Sequence, residues 1–129
     1  MSRASERGAV AVEFAILAPV LVMLLLGIME FGRAYNAQAS LSAAARESVR
    51  VMAVSNNITA ARTAAKSTAV SLHPGLADGD IAFKNLETGT TTCAPGNRMT
   101  ITISYNLSTM TGIAGPFPMK GQGAMLCGG

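Results

Sequence analysis

The spacing of apolar residues divides the chain into stretches of different period. Residues 14–29 contain no ionisable side chain. Extending back to Val10 gives about 20 residues, or roughly 30 Å of helix, the hydrocarbon thickness of a bilayer. That pattern predicts a membrane-spanning helix. Further on, Leu41, Ala45, Val49 and Met52 recur at steps of four, four and three and hold one helical stripe. Gln38, Arg46, Glu47 and Arg50 fall on the other sides. One long helix is therefore predicted over residues 9–54, membrane-embedded first and then emerging, with a break at Asn56-Asn57.

A second amphipathic helix is predicted over residues 59–72. Ile58, Ala61, Ala65, Ala69 and Leu72 lie on one face, and Arg62 and Lys66 are exposed. His73-Pro74-Gly75 stops it, since proline has no N–H to donate and disfavours helix in the residue before it. After Pro74 the period changes to two. Residues 99–107 alternate apolar and polar and give the strongest strand signal in the chain. Residues 81–86 predict a shorter strand, 88–97 a Gly/Thr/Pro loop containing Cys93, 111–121 a further Gly/Pro loop, and 122–127 a returning strand. The fold class is α+β: a long N-terminal helix, a second helix and a small antiparallel sheet of about three strands. The corresponding segments are a leader (1–8), a transmembrane helix (9–32), an extracytoplasmic helical region (33–72) and a small β-rich periplasmic domain (73–129).

Composition sharpens this picture in one place. Half of the 129 residues are hydrophobic and 13% are charged, more apolar than an ordinary soluble domain. The excess sits in the membrane segment. What remains is a small domain that buries little apolar surface per residue, so a covalent staple would help. The formal net charge is +3, but the basic residues are scattered from Arg3 to Lys120 and there is no Trp. Nothing forms the basic, aromatic-interleaved stripe of a nucleic-acid binder.

The charge that carries information is local. Arg3, Arg7 and the initiating amine precede the apolar run, offset by Glu6. Lys/Arg bias of short flanks favours a cytoplasmic N-terminus, although Arg33, Arg46 and Arg50 beyond the span reduce the asymmetry. Cys93 and Cys127, the two cysteines, agree with that direction. Both lie in the C-terminal domain, among Gly and Thr, where an N-in topology gives an oxidising periplasm. A disulfide between them would contribute roughly 3–4 kcal/mol in the chain-entropy model.

Glu13 is the exception within the apolar run. An isolated carboxylate in that setting costs several kcal/mol, so it needs a partner or a proton, or it snorkels at the headgroup boundary. A secretory signal peptide also has a basic start and an apolar core. Here, however, the core is long, an acid lies near its start, and no small-x-small cut site follows. Pro19 falls inside the span, where neighbouring groups can satisfy the freed carbonyl and a kink results. Gly27 and Gly32 permit close helix approach but are not spaced as GxxxG.

Catalytic chemistry finds little footing. His73, the only histidine, stands in a helix stop. Asp78 and Asp80 flank Gly79 in a turn without the further acids of a calcium loop. Ser104 has no base partner, and neither cysteine has metal-ligand spacing. No cofactor, metal or enzymatic activity is expected.

Three stretches together carry a family resemblance: Gly8-Ala-Val-Ala-Val-Glu13-Phe14-Ala-Ile-Leu-Ala-Pro19, Gly27-Ile-Met-Glu-Phe31-Gly32-Arg33 and Ala43-Ala-Ala-Arg46-Glu-Ser-Val-Arg50. They resemble the TadE-like proteins, pseudopilins or minor pilins of the tight-adherence (Tad) machinery that assembles Flp-type, type IV-related pili. The resemblance is densest from Gly8 to Ala53; beyond that it rests loosely on an alternating strand ending in a Tyr and a late cysteine. It implies a pilin-like fold and a prepilin-like leader cut after Gly8 by a prepilin peptidase. Ala9 would become the new N-terminus, and Glu13, followed by Phe14, the fifth residue. It further implies that Glu13 pairs with a free α-amine, its own or a neighbouring subunit's. Implied partners are other pilin or pseudopilin subunits through their N-terminal helices, the prepilin peptidase, the Tad assembly platform and the bacterial inner membrane, and the resemblance allows for incorporation into an extracellular pilus. The alternative is an uncleaved single-pass anchor whose periplasmic domain contacts the secretion machinery.

Overall fold

The computed structural model of the protein describes residues 3–112 and 115–128. The chain divides into two compact units, Met1–Arg33 and Ala34–Gly129. Its elements are α1 (Arg3–Ser55), α2 (Ile58–Thr68), a short 3-10 turn at Asp78–Asp80, and strands β1 (Ile81–Asn85), β2 (Arg98–Leu107) and β3 (Phe117–Leu126). The three strands form an antiparallel sheet in the order β1-β2-β3. This is the predicted α+β arrangement of a long N-terminal apolar helix, a second helix and a three-stranded sheet.

The first unit is α1 alone. Its apolar side chains face outward all round, with Phe14 70% and Met23 70% exposed. A helix that is hydrophobic on every side has no core to fill within its own chain. Pro19 lies inside it without ending it.

In the second unit, α1 buries one stripe: Ala37, Leu41, Ala44, Ala45, Ser48, Val49, Met52 and Ala53. The facing side of the sheet comes from strict alternation. Met99, Ile101, Ile103, Tyr105 and Leu107 of β2, with Ile81 and Phe83 of β1, are buried, while Lys84, Ser104 and Asn106 are exposed. Each fully buried Leu, Ile or Met contributes about 1.5–3 kcal/mol. The Tyr105 hydroxyl donates to the Pro74 carbonyl at 2.8 Å, fixing the chain after α2 to the sheet.

β3 meets α1 through its backbone. A Cβ on Gly121 would lie 2.5 Å from the Leu41 carbonyl oxygen, and one on Gly123 would lie 2.7 Å from that of Ala45. The two rows stay in step because four helix residues rise ~6 Å and two strand residues ~6.8 Å. The α1–α2 contact is equally close: buried Ser48 donates to the Ala61 carbonyl at 2.8 Å, beside buried Ala61 and Ala65.

The boundaries differ from expectation at three places. Residues 3–8, expected to form a leader ahead of a helix starting at residue 9, are helical and continuous with α1; Met1 and Ser2 lie outside the described residues. α2 ends at Thr68 rather than at 72, and Ala69 leaves helical geometry at φ −95° and ψ 31°. Thr63, Ser67 and Thr68 all donate their hydroxyls back to carbonyls four residues earlier, a pattern that slightly destabilises a helix. The early stop lets Ser71 meet Ser40 at 3.1 Å and Leu72 enter the core. Finally, β3 begins at Phe117, inside the predicted loop 111–121, of which Ile113 and Ala114 lie outside the described residues. Its glycines are sites of close approach rather than loop punctuation. Pro118 is tolerated because β3 is an edge strand, where a missing N–H need not cost a ladder bond.

Candidate functional site

The residues expected to carry function fall in both units. In the first, Gly8, Ala9, Glu13 and Phe14 are all helical and exposed. Space is open around Gly8, where an added Cβ would meet nothing within 4 Å. Ala9 and Glu13 are four residues apart, so they share one helix face a turn apart. Among the described residues, no hydrogen bond or ion pair reaches Glu13. α1 contains an 18-residue window of mean hydropathy 2.6, none of it buried, which makes it long and apolar enough to cross a membrane. Gly27 and Gly32 are likewise open on its surface.

In the second unit, Cys93 and Cys127 are joined in a disulfide with their Cα atoms 5.7 Å apart. The bridge does more than close a loop, because both of its arms reach the C-terminal end of α1. The Cys93 N–H donates to Asn56 Oδ1 at 2.9 Å, and the Gly128 N–H donates to the Ala53 carbonyl at 3.1 Å. Helices end with carbonyls that lack intrahelical partners, and the disulfide-linked segments supply one of the donors. Asn56 itself has φ 48°, the left-handed conformation common just past a helix end and tolerated by Asn. Asn57 then caps α2, accepting from the Ala60 N–H at 3.1 Å.

Sequence reasoning found the break at these two asparagines but not their separate roles. It also missed Asn85, which is fully buried. The Asn85 amide donates to the Thr92 carbonyl at 2.9 Å and accepts from the Glu87 N–H at 3.0 Å and the Thr88 N–H at 3.2 Å. It thereby shapes the loop that delivers Cys93. An asparagine on the apolar phase of β1 was the available signal.

The remaining electrostatics are superficial. Hydrogen bonding to Arg50 holds the Glu47 carboxyl below its usual range. Asp78 is lowered by its hydrogen bond to Lys66 and by the Lys66 and Arg62 charges. Arg62 also lies over the Phe83 ring, 5.5 Å from its centroid. Among the described residues no cluster of three or more His, Cys, Asp or Glu could hold a metal, and His73 is exposed in its turn.

No curated protein matches the chain, and no solved structure does. Residues 8–50 match the family model described as TadE-like protein, the family that the signature between Gly8 and Arg50 resembles.

Proposed function

We propose that the chain is a pseudopilin or minor pilin of a Tad pilus, inserted N-in and cut after Gly8 by a prepilin peptidase. The TadE-like match over residues 8–50 suggests a pilin-like, Tad pilus-associated protein, a structural component rather than an enzyme. Together with the single N-terminal apolar helix it suggests membrane anchoring.

The observation that carries the finer reading is the unburied apolar surface of α1 with one acid near its start. Within a bilayer or a filament, the apolar side chains find lipid or neighbouring helices, while Glu13 remains a carboxylate in need of a cation. Cleavage before Ala9 creates an α-amine one turn away, and a paired buried charge is far less costly than an isolated one. Cleavage also removes Arg3, Glu6 and Arg7, which takes the formal charge from +3 to +2 and discards the orienting charge after insertion. Gly8 suits the cut. Glycine is about 1 kcal/mol less favourable than alanine within a helix, so the leader helix opens there most readily.

In this reading the N-terminal helix packs against those of other subunits and the Ala34–Gly129 unit stands in the periplasm. The mature N-terminus tests it. Mass spectrometry of the chain purified from cells containing the peptidase should find Ala9 first, whereas an N-terminus at Met1 would leave an uncleaved anchor instead.

A further inference from the structure

We propose that the outer edge of β3 is a strand-addition site for an extended, acidic peptide segment of a partner protein. The site lies wholly within the Ala34–Gly129 unit, so it stands whether or not the chain is cut at Gly8.

Alternate residues of an antiparallel strand send their N–H and C=O groups to opposite edges. The Arg98 carbonyl accepts from the Leu86 N–H at 2.9 Å, which turns Arg98 toward β1. Its register partner Leu126 therefore turns its own groups away from β2. Cys127, one residue on, donates to the Asn97 carbonyl at 2.8 Å, on the opposite side as alternation requires. Lys120, Gln122 and Ala124 share the phase of Leu126 and face outward.

α1 clamps this edge at two points. Gln38 Nε2 donates to the Lys120 carbonyl at 2.8 Å, and the Ala53 carbonyl accepts from the Gly128 N–H at 3.1 Å. Between the clamps, among the described residues, no hydrogen bond reaches the outward backbone groups of Gln122, Ala124 and Leu126. All three residues are exposed. An open edge of this kind is a template for another strand.

Charge selects the occupant. A groove of about 680 Å³ borders the edge, with Arg46, Glu47, Arg50, Thr68, Ala124 and Met125 among its walls. Arg46 is exposed and, among the described residues, has no ion-pair partner, whereas Arg50 is held by Glu47. Groove-facing carboxylates on alternate residues of an added strand recur every ~6.8 Å, close to the ~6 Å between Arg46 and Arg50 along the helix. A second copy pairing edge to edge would bring its own Arg46 and Arg50 toward these, and like charges disfavour that contact.

The test uses the full chain in detergent micelles, observed by amide NMR. The probes are an end-blocked heptapeptide of alternating Thr and Asp and the same peptide with Lys for Asp. The acidic peptide should shift the Gln122, Ala124 and Leu126 amides and bind at least about tenfold more tightly than the Lys peptide. Ala124→Pro, which removes an outward N–H without touching the β2 ladder, and Arg46→Glu should each weaken it by about tenfold, or ~1.4 kcal/mol. No shift at those amides with millimolar acidic peptide, or equal binding of both peptides, overturns the proposal. Shifts of the same amides with protein concentration alone overturn it in favour of self-pairing.

Discussion

Gly121 and Leu41 meet backbone to backbone: a methyl group on Gly121 would stand 2.5 Å from the Leu41 carbonyl oxygen. That oxygen belongs to a helix and cannot swing aside as a side chain would. Gly121→Ala should therefore force α1 and β3 apart and destabilise the domain by about 1–3 kcal/mol, the usual cost of overpacking. Gly75→Ala is the control, since a Cβ there would meet nothing within 4 Å. Thermal melts of the two variants in the same detergent should separate by several degrees, and coincident melts would mean that the helix can shift without cost.

Loss of the Cys93–Cys127 bridge should act on the end of α1 as well as on overall stability. Replacing both cysteines with serine should cost about 3–4 kcal/mol in the chain-entropy model. Hydrogen exchange should also accelerate at Asn56 and Gly128, whose amides bond Met52 and Ala53 of α1. Exchange that quickens evenly across the domain would reduce the bridge to a simple loop closure.

Glu13→Gln removes the charge while keeping the shape. If Glu13 pairs with the Ala9 amine of its own or a neighbouring subunit, the variant should still insert and be cut. Its incorporation into sheared pilus fractions should fall by about tenfold, equivalent to ~1.4 kcal/mol. Unchanged incorporation would remove the pairing from the account of assembly.

Asp78 and Glu47 predict a small acid-side dependence of stability. Both carboxyls are lowered in the folded chain by their cationic partners. The unfolded chain therefore binds more protons than the folded one in the acid range. The stabilisation is present above the ordinary carboxylate pKa and is lost as pH falls through the lowered folded values. Because both pairs are exposed, the effect is modest and screened by salt. Lys66→Ala should flatten the acid limb of a melting-temperature profile, and an unaltered profile would show that the Lys66–Asp78 pair contributes nothing in solution.

Where periodicity set the contacts, the chain was legible before its structure. The stripe Leu41, Ala45, Val49 and Met52, the face Ala61, Ala65, Ala69 and Leu72, and the alternation from Met99 to Leu107 named most of the core, because burial on one face leaves a period in the sequence. The closeness of α1 to β3 was not legible. Gly121 and Gly123 look like loop residues until a helix is known to lie against them, and only tertiary structure brings it there. Asn85 was hidden for a related reason: its partners, Thr92, Glu87 and Thr88, belong to a loop without a pattern of its own. At the N-terminus the reading came from an acid in the wrong place for a membrane helix, which is chemistry rather than periodicity.

The seam between Leu41 and Gly121 joins elements far apart along the chain, and this separates two events in time. Synthesis completes α1 well before β3 exists. The apolar stripe meant for the sheet must then wait without β3, whose Gly121 and Gly123 lie against Leu41 and Ala45. Long-range closure is the slow step of such topologies. A newly made chain thus passes through an interval in which α1 is complete and its domain is still open. Exposed apolar surface and unpaired strand edges make such an open state the one most prone to mispairing.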